Sequence, residues 1–191
     1  MTITSTAGTA DGGTSGVEAF ALTFTSNEVT ANFVVGDITA DGGAQDCTLG
    51  SFAQGGSAAI YTATCTPDNA GETVNVLVAA DKYTDTASND NTVSNTFDWT
   101  YEIVAPTMAI TSTAGTADGG TSGVAALALT FTSSETTTNF VVGDITATGG
   151  DGCTLGSFGS TTTSVYTATC TAADGDTVNV LVAAETYTDT A

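Results

Sequence analysis

Residues 1–16, MTITSTAGTADGGTSG, return at 108–123 as MAITSTAGTADGGTSG, with one change in sixteen. NFVVGDITA recurs at 32–40 and 139–147, TVNVLVAA at 73–80 and 177–184, and YTDTA at 83–87 and 187–191. The offset starts at 107 residues and drifts only where loops shorten. That period is too long for a solenoid unit and matches one β-sandwich domain of about 100 residues. The chain therefore reads as two copies of one domain, at 1–104 and 108–191, with 105–107 as linker. The second copy has no counterpart of SNDNTVSNTFDWTYEIV at 88–104, so it is expected to lack its last strand. On this reading the 191 residues are a window on a longer array.

Local pattern predicts strands throughout. Phe20, Leu22 and Phe24 alternate with small or polar residues, as do Leu127, Leu129 and Phe131 in the second copy. Val74, Val76 and Val78 form another period-two run. Phe97, Trp99, Tyr101 and Ile103 alternate with Asp98, Thr100 and Glu102, so that strand has one wet face. Such alternation is the mark of a half-buried strand, and Thr and Val favour it. Gly-rich stretches such as ADGG, QGGS and DNAG mark turns. The expected strands of copy one are 1–6, 17–26, 31–40, 46–52, 58–66, 72–79 and 93–104. Seven short strands with frequent turns predict an all-β fold of tandem immunoglobulin-like Greek-key sandwiches.

Charge narrows the partners. The chain has 21 acidic residues against one cation, Lys82, for a net charge of −20. Such a surface repels phosphate backbones, so no nucleic-acid partner is expected. No apolar run approaches the roughly 18 residues of a spanning helix, so membrane insertion is not expected either. With no histidine and no arginine, the usual general base and anion clamp are missing. No serine has a base partner and no cleft is evident for paired carboxylates, so an enzyme is not expected.

The four cysteines fall as two copies of one motif, CTLGSFAQGGSAAIYTATC at 47–65 and CTLGSFGSTTTSVYTATC at 153–170. Each pair lies on consecutive strands. A hairpin centred on residue 56 sets 47 opposite 65, 49 opposite 63 and 51 opposite 61; in copy two, 153 faces 170. Directly opposed, non-hydrogen-bonded positions lie closest across a ladder, which suits Cys47–Cys65 and Cys153–Cys170 disulfides. Two thiols per domain at wide spacing make a poor metal site, and no Cys-x-x-Cys suggests a redox one. Disulfides imply an oxidising compartment, hence an extracellular or cell-surface location.

FTSNEVTANFVVGDITADGG, then CTLGSF, IYTATCTPDNAGETVNVLVAADKYTDTASNDN, resembles the bacterial Ig-like repeat domains of large secreted and surface adhesins. The likeness covers nearly all of both copies. Its recurring positions are Glu28, Phe33, Asp37, Ile38, Tyr61, Ala63, Asp85 and Asn89, matched by Glu135, Phe140, Asp144, Ile145, Tyr166, Ala168 and Asp189 in copy two. Cys65 and Cys170 depart from it, standing where the family often has an apolar inward residue. The resemblance implies a repeat array used as a stalk, fibre or filament; it implies no ligand.

Calcium is the cofactor expectation. In an Ig-like sandwich the second–third and sixth–seventh strand loops share one end. That end would hold Glu28, Asp81, Asp85 and Asp90 in copy one and Glu135, Glu185 and Asp189 in copy two. Asp11, Asp41, Asp46, Asp68 and Glu72 fall at the opposite end. Copies stacked end to end would set acidic ends against each other, and calcium accepts six to eight oxygens. The bland alternative is solvated loop carboxylates. The expected partners are neighbouring copies of the repeat, with a cell-surface or glycan ligand left to other parts of the full-length protein. A carbohydrate- or cell-surface-binding module and a strand-exchanged filament subunit are the alternative functions.

Overall fold

The computed structural model describes residues 1–5, 10–40, 47–112 and 118–191. The expected end carboxylates Asp41 and Asp46 lie outside them. The chain divides into two units, Met1–Val104 and Ala105–Thr190. Pro106 and Thr107, expected in a linker, bond within the second unit: Tyr187 Oη donates to the Pro106 carbonyl and Thr107 N–H to Ser134 Oγ.

Among the described residues the first unit has eight strands: β1 (Thr2–Ser5), β2 (Gly13–Ser15), β3 (Phe20–Thr25), β4 (Ile38–Thr39), β5 (Cys47–Gln54), β6 (Ile60–Pro67), β7 (Thr73–Val78) and β8 (Phe97–Tyr101). They form two four-stranded sheets, ordered β1-β3-β6-β5 and β2-β8-β7-β4. That is the immunoglobulin arrangement, with strand order crossing between sheets. Inward positions recur every second residue: Phe20, Leu22 and Phe24; Tyr61, Ala63 and Cys65; Val74, Val76 and Val78; Phe97 and Trp99. Together with Ile3, Phe33, Ile38 and Tyr83 they make one core. Trp99 is fully buried and stacks on Phe20, ring centroids 4.5 Å apart.

Two segments depart from the pattern-based expectation. Gly13–Ser15 reads as a turn but forms β2, which pairs in parallel with β8, Gly13 beside Trp99 and Ser15 beside Tyr101. Residues 31–37, read as strand, hold instead a one-turn 3-10 helix, Val35–Asp37. The cause is local: Val34 N–H donates to Asp37 Oδ2 at 2.9 Å while Asp37 N–H donates to the Val34 carbonyl at 3.0 Å. This reciprocal cap winds the chain and drops Phe33 into the core, where its ring meets Phe24, Phe52, Tyr61 and Tyr83. β8 also stops at Tyr101, and Ile103 and Val104 are exposed.

The second unit contains β9 (Met108–Ser112), β10 (Ala126–Ser133), β11 (Ile145–Thr148), β12 (Cys153–Ser160), β13 (Val165–Ala172) and β14 (Asn179–Val182). Its first sheet, β12-β13-β10-β9, repeats that of the first unit. Its second sheet has only β11 and β14 among the described residues. The Val141–Asp144 cap recurs, with Val141 N–H to Asp144 Oδ2 at 2.8 Å. Phe140 again meets Phe131, Phe158, Tyr166 and Tyr187.

Truncating an aromatic side chain buried this fully costs about 3–5 kcal/mol. Trp99→Ala should therefore lower the melting transition of the first unit and leave that of the second in place, as read by calorimetry; equal shifts in both transitions would contradict the two-core description.

Candidate functional site

Both expected disulfides are present, Cys47–Cys65 and Cys153–Cys170, with Cα–Cα distances of 5.5 and 5.4 Å. Both lie in the usual disulfide range. The register behind them differs from the expected one. Cys47 stands opposite Pro67 and Cys65 opposite Leu49, so the cysteines are diagonal neighbours rather than directly opposed. The hairpin apex is displaced beyond Gly56, because Gly55 N–H donates to the Ile60 carbonyl at 2.7 Å and Ile60 N–H to the Ser57 carbonyl at 3.1 Å. A bulge then returns one residue: Ser51 and Phe52 fit between Gly50 and Ala53, opposite Ala63 alone, with Ser51 at φ 49°. Bulges bend a strand and increase its twist. The cystine spans one diagonal of this bulged ladder. The second unit repeats the offset, with Leu155 opposite Cys170, a register shift between Gly156 and Gly159, and Ser157 at φ 50°. Cys65 is fully buried and its partner packs against the same core, so this cystine fills an apolar inward place.

The acidic loops also assemble. Glu28 lies between β3 and β4, and Asp81, Asp85 and Asp90 between β7 and β8. Ala31 N–H donates to the Thr84 carbonyl at 2.9 Å, and Asn32 Oδ1 accepts from Thr84 N–H at 2.8 Å, which ties the two loops together. Asn139 Oδ1 accepts from Thr188 N–H at 2.9 Å in the same way. Asp85 Oδ1 accepts from Ala87 and Asn89 N–H at 2.7 and 2.8 Å, and Oδ2 from Asn89 Nδ2 at 2.8 Å. These bonds, those of Asn89 foremost and one from Glu28 last, hold the Asp85 carboxyl below its usual range. The recurring Asp85 and Asn89 positions thus close a loop in this structure. The structure brings Glu28 to Asp85. Asp81, at φ 61°, donates its N–H to the Asn91 carbonyl, and Asp90 bridges Thr84. In the second unit Glu185 takes the same left-handed backbone as Asp81, at φ 64°. Glu135 N–H donates to Ser133 Oγ at 3.3 Å, and Asp189 follows Thr188 in the loop that Asn139 holds.

A second carboxylate pair went unanticipated. Residue order places Asp98 on a wet strand face and Asp11 at an acidic domain end, with no sign that they meet. Parallel pairing of β2 with β8 sets them together: Asp98 N–H donates to Asp11 Oδ1 at 2.7 Å, and Gly12 N–H to the Asp98 carbonyl at 2.9 Å. Asp98 Oδ1 is buried without a hydrogen-bond partner among the described residues. Burial, and then the Asp11 charge, raise the Asp98 carboxyl above its ordinary value. A raised folded-state value means that the protonated form is favoured in the fold, so stability is greatest at low pH and is lost as pH rises through that value. Asp98→Asn should therefore raise the first unit's melting temperature at pH 7. The gain should shrink as pH falls below the usual carboxylate range, where Asp98 is already protonated. A pH-independent gain, or a loss at pH 7, would contradict the repulsion.

Among the described residues, no helix is long and apolar enough to cross a membrane. The profile of the family described as "Bacterial Ig-like domain" matches residues 1–101 and again 102–191. No curated protein and no solved structure matches the chain. Family profile, two-sheet topology and repeated core agree, and the chain belongs to the bacterial Ig-like domain family as two consecutive copies.

Proposed function

We propose that the chain is part of an extracellular repeat array that provides length and mechanical continuity in a surface stalk or filament, with calcium stiffening the acidic loop ends. The supporting observation is what the two copies hold in common. Phe33 and Phe140, the Asp37 and Asp144 caps, the Tyr61–Thr30 and Tyr166–Thr137 hydroxyl pairs at 2.6 and 2.7 Å, and both cystines all serve folding. Spacer domains can repeat such a frame unchanged. A disulfide-stapled sandwich is suited to the oxidising space outside the cell.

Tension gives the frame a further fit to this role. β2 and β8 run parallel and side by side near the two ends of the first unit. Pulling on those ends loads their hydrogen bonds in shear, together, rather than one after another. The cystine then limits extension once the sheets part, because 18 residues stay locked in the first unit and 17 in the second. Calcium fits the loop chemistry in kind, since Glu28 meets Asp85 and the donors are all oxygens. Asp81 and Asp90 in the first unit, and Glu135, Glu185 and Asp189 in the second, complete the proposed ligand set.

Single-molecule stretching tests the reading. Each unit should unfold as a discrete event, and reductant should lengthen each event by about 60 Å, at roughly 3.3–3.6 Å per released residue. Millimolar calcium should raise the unfolding force of the first unit, and Glu28→Gln with Asp85→Asn should remove that rise. Featureless extension would sink the stalk reading; a force indifferent to calcium and chelator would remove the cation from it.

A further inference from the structure

The first strand of the first unit is held on its inner side by a ladder and on its outer side by the side chain of Asn95. β1 lies at the edge of the first sheet, with β3 as its ladder partner. Backbone groups alternate along such a ladder, and Ile3, opposite Phe24, turns its N–H and C=O away from β3. Both groups meet Asn95: Ile3 N–H donates to Asn95 Oδ1 at 2.7 Å, and Asn95 Nδ2 donates to the Ile3 carbonyl at 3.1 Å. One planar amide thus bonds this edge as a residue of a neighbouring strand would. The same Nδ2 also donates to the Thr96 carbonyl at 3.3 Å, which fixes how the amide is turned.

Asn95 leaves its own sheet to do this. β7 and β8 pair Val74 with Trp99 and Val76 with Phe97, a register that would set Asn95 opposite Val78 if it continued. β8 begins instead at Phe97, and Ser94 takes the place at Val78. Ser94 N–H donates to the Val78 carbonyl, and Val78 N–H to Ser94 Oγ, both at 2.9 Å. Ser94 Oγ in turn donates to the Asn95 carbonyl at 2.7 Å, which holds the bend between the two residues. Two consecutive residues therefore grip one sheet each: Ser94 holds β7 of the second, and Asn95 holds β1 of the first. Asn95 is exposed, so water competes for its bonds and the grip opens without disturbing the core.

We infer that Asn95 is a latch on β1: its side chain sets how readily the first strand lifts from the sandwich while the other strands stay folded. β1 is four residues long, and within it Ile3 alone is buried. Short edge elements with few buried contacts are the ones that open locally. In the lifted form Ile3 leaves the core, and the edge of β3 from Leu22 to Thr25 is free to take another strand. Asn95 is a positioning residue in this device, acting through the Ile3 backbone.

Residue-resolved amide exchange on the intact oxidised chain reads the latch. Asn95→Ala should speed exchange at Ile3, and at Thr4 whose amide faces β3, by roughly tenfold, as the loss of two hydrogen bonds of ordinary net strength allows. The amides of β3, β6 and the second unit should keep their parental rates. Asn95→Asp separates the hydrogen bonds from mere packing. Its ionised side chain only accepts, so the Ile3 carbonyl loses its donor and meets a negative charge; the protonated acid both accepts and donates, as the amide does. Relative to the parent at the same pH, exchange at Ile3 and Thr4 should therefore be fast at about pH 7 and return towards parental rates at about pH 2–3, below the usual carboxylate range. Unchanged exchange at Thr4 in Asn95→Ala would mean that β3 alone holds the strand, and would overturn the proposal. Faster exchange throughout the first unit, or an Asn95→Asp chain equally fast at both pH values, would overturn it too.

Discussion

The second sheet of the first unit hangs on β8. This five-residue strand pairs antiparallel with β7 and parallel with β2, and its inward face carries Phe97 and Trp99. Three separate features meet on it: the hydrogen bonds that stop β7 from being an edge, the aromatic stack with Phe20, and the template that makes Gly13–Ser15 a strand. Hydrogen bonds alone contribute modestly once water is counted, so burial of the indole and phenyl rings supplies most of the gain. In the second unit, where β14 is paired with β11 alone among the described residues, the valines of β14 are half open and Gly-Thr-Ser is irregular. The same sequence written twice in one chain thus serves as its own control.

The first sheet behaves differently. Its four strands, its bulge and its cystine are nearly the same in both units, with or without a β8 beside them. The disulfide lies within this sheet and joins neighbouring strands, so it secures a hairpin that takes the same register in both units. The net charge of −20 adds self-repulsion across a surface with a single cation. Part of that repulsion is built into the fold, at Asp98 against Asp11.

Much of this was legible in residue order, and the exceptions have physical causes. The alternation at Phe20–Phe24, Tyr61–Cys65 and Val74–Val78 marks the inward positions directly, because period two is a property of the strand itself. The cysteine partners were legible because each motif sits astride one hairpin. Their register was not, since it depends on where the loop apex falls and on a bulge that puts Ser51 in the left-handed region. β2 was illegible because Gly-Thr-Ser has no strand pattern; its conformation is imposed by a strand more than eighty residues away. The 31–37 segment misled because Val34 and Val35 look like strand residues, while the deciding contact is the Asp37 side chain on Val34 N–H. Among the acidic residues, Asp85 is set by the loop bonds it accepts from Ala87 and Asn89. Asp11 and Asp98 meet only because β2 exists, so no linear spacing announces them.

Amide hydrogen exchange, followed residue by residue on the intact chain, tests the dependence on β8 most directly. The account predicts strong protection at Gly13–Ser15 and along both edges of β7. It predicts weak protection at 120–122 and at the β14 amides that face away from β11, while β10 and β13 match β3 and β6. Equal protection of Gly-Thr-Ser at its two sites, or of β7 and β14, would show that the second sheet forms without its last strand and would contradict the account.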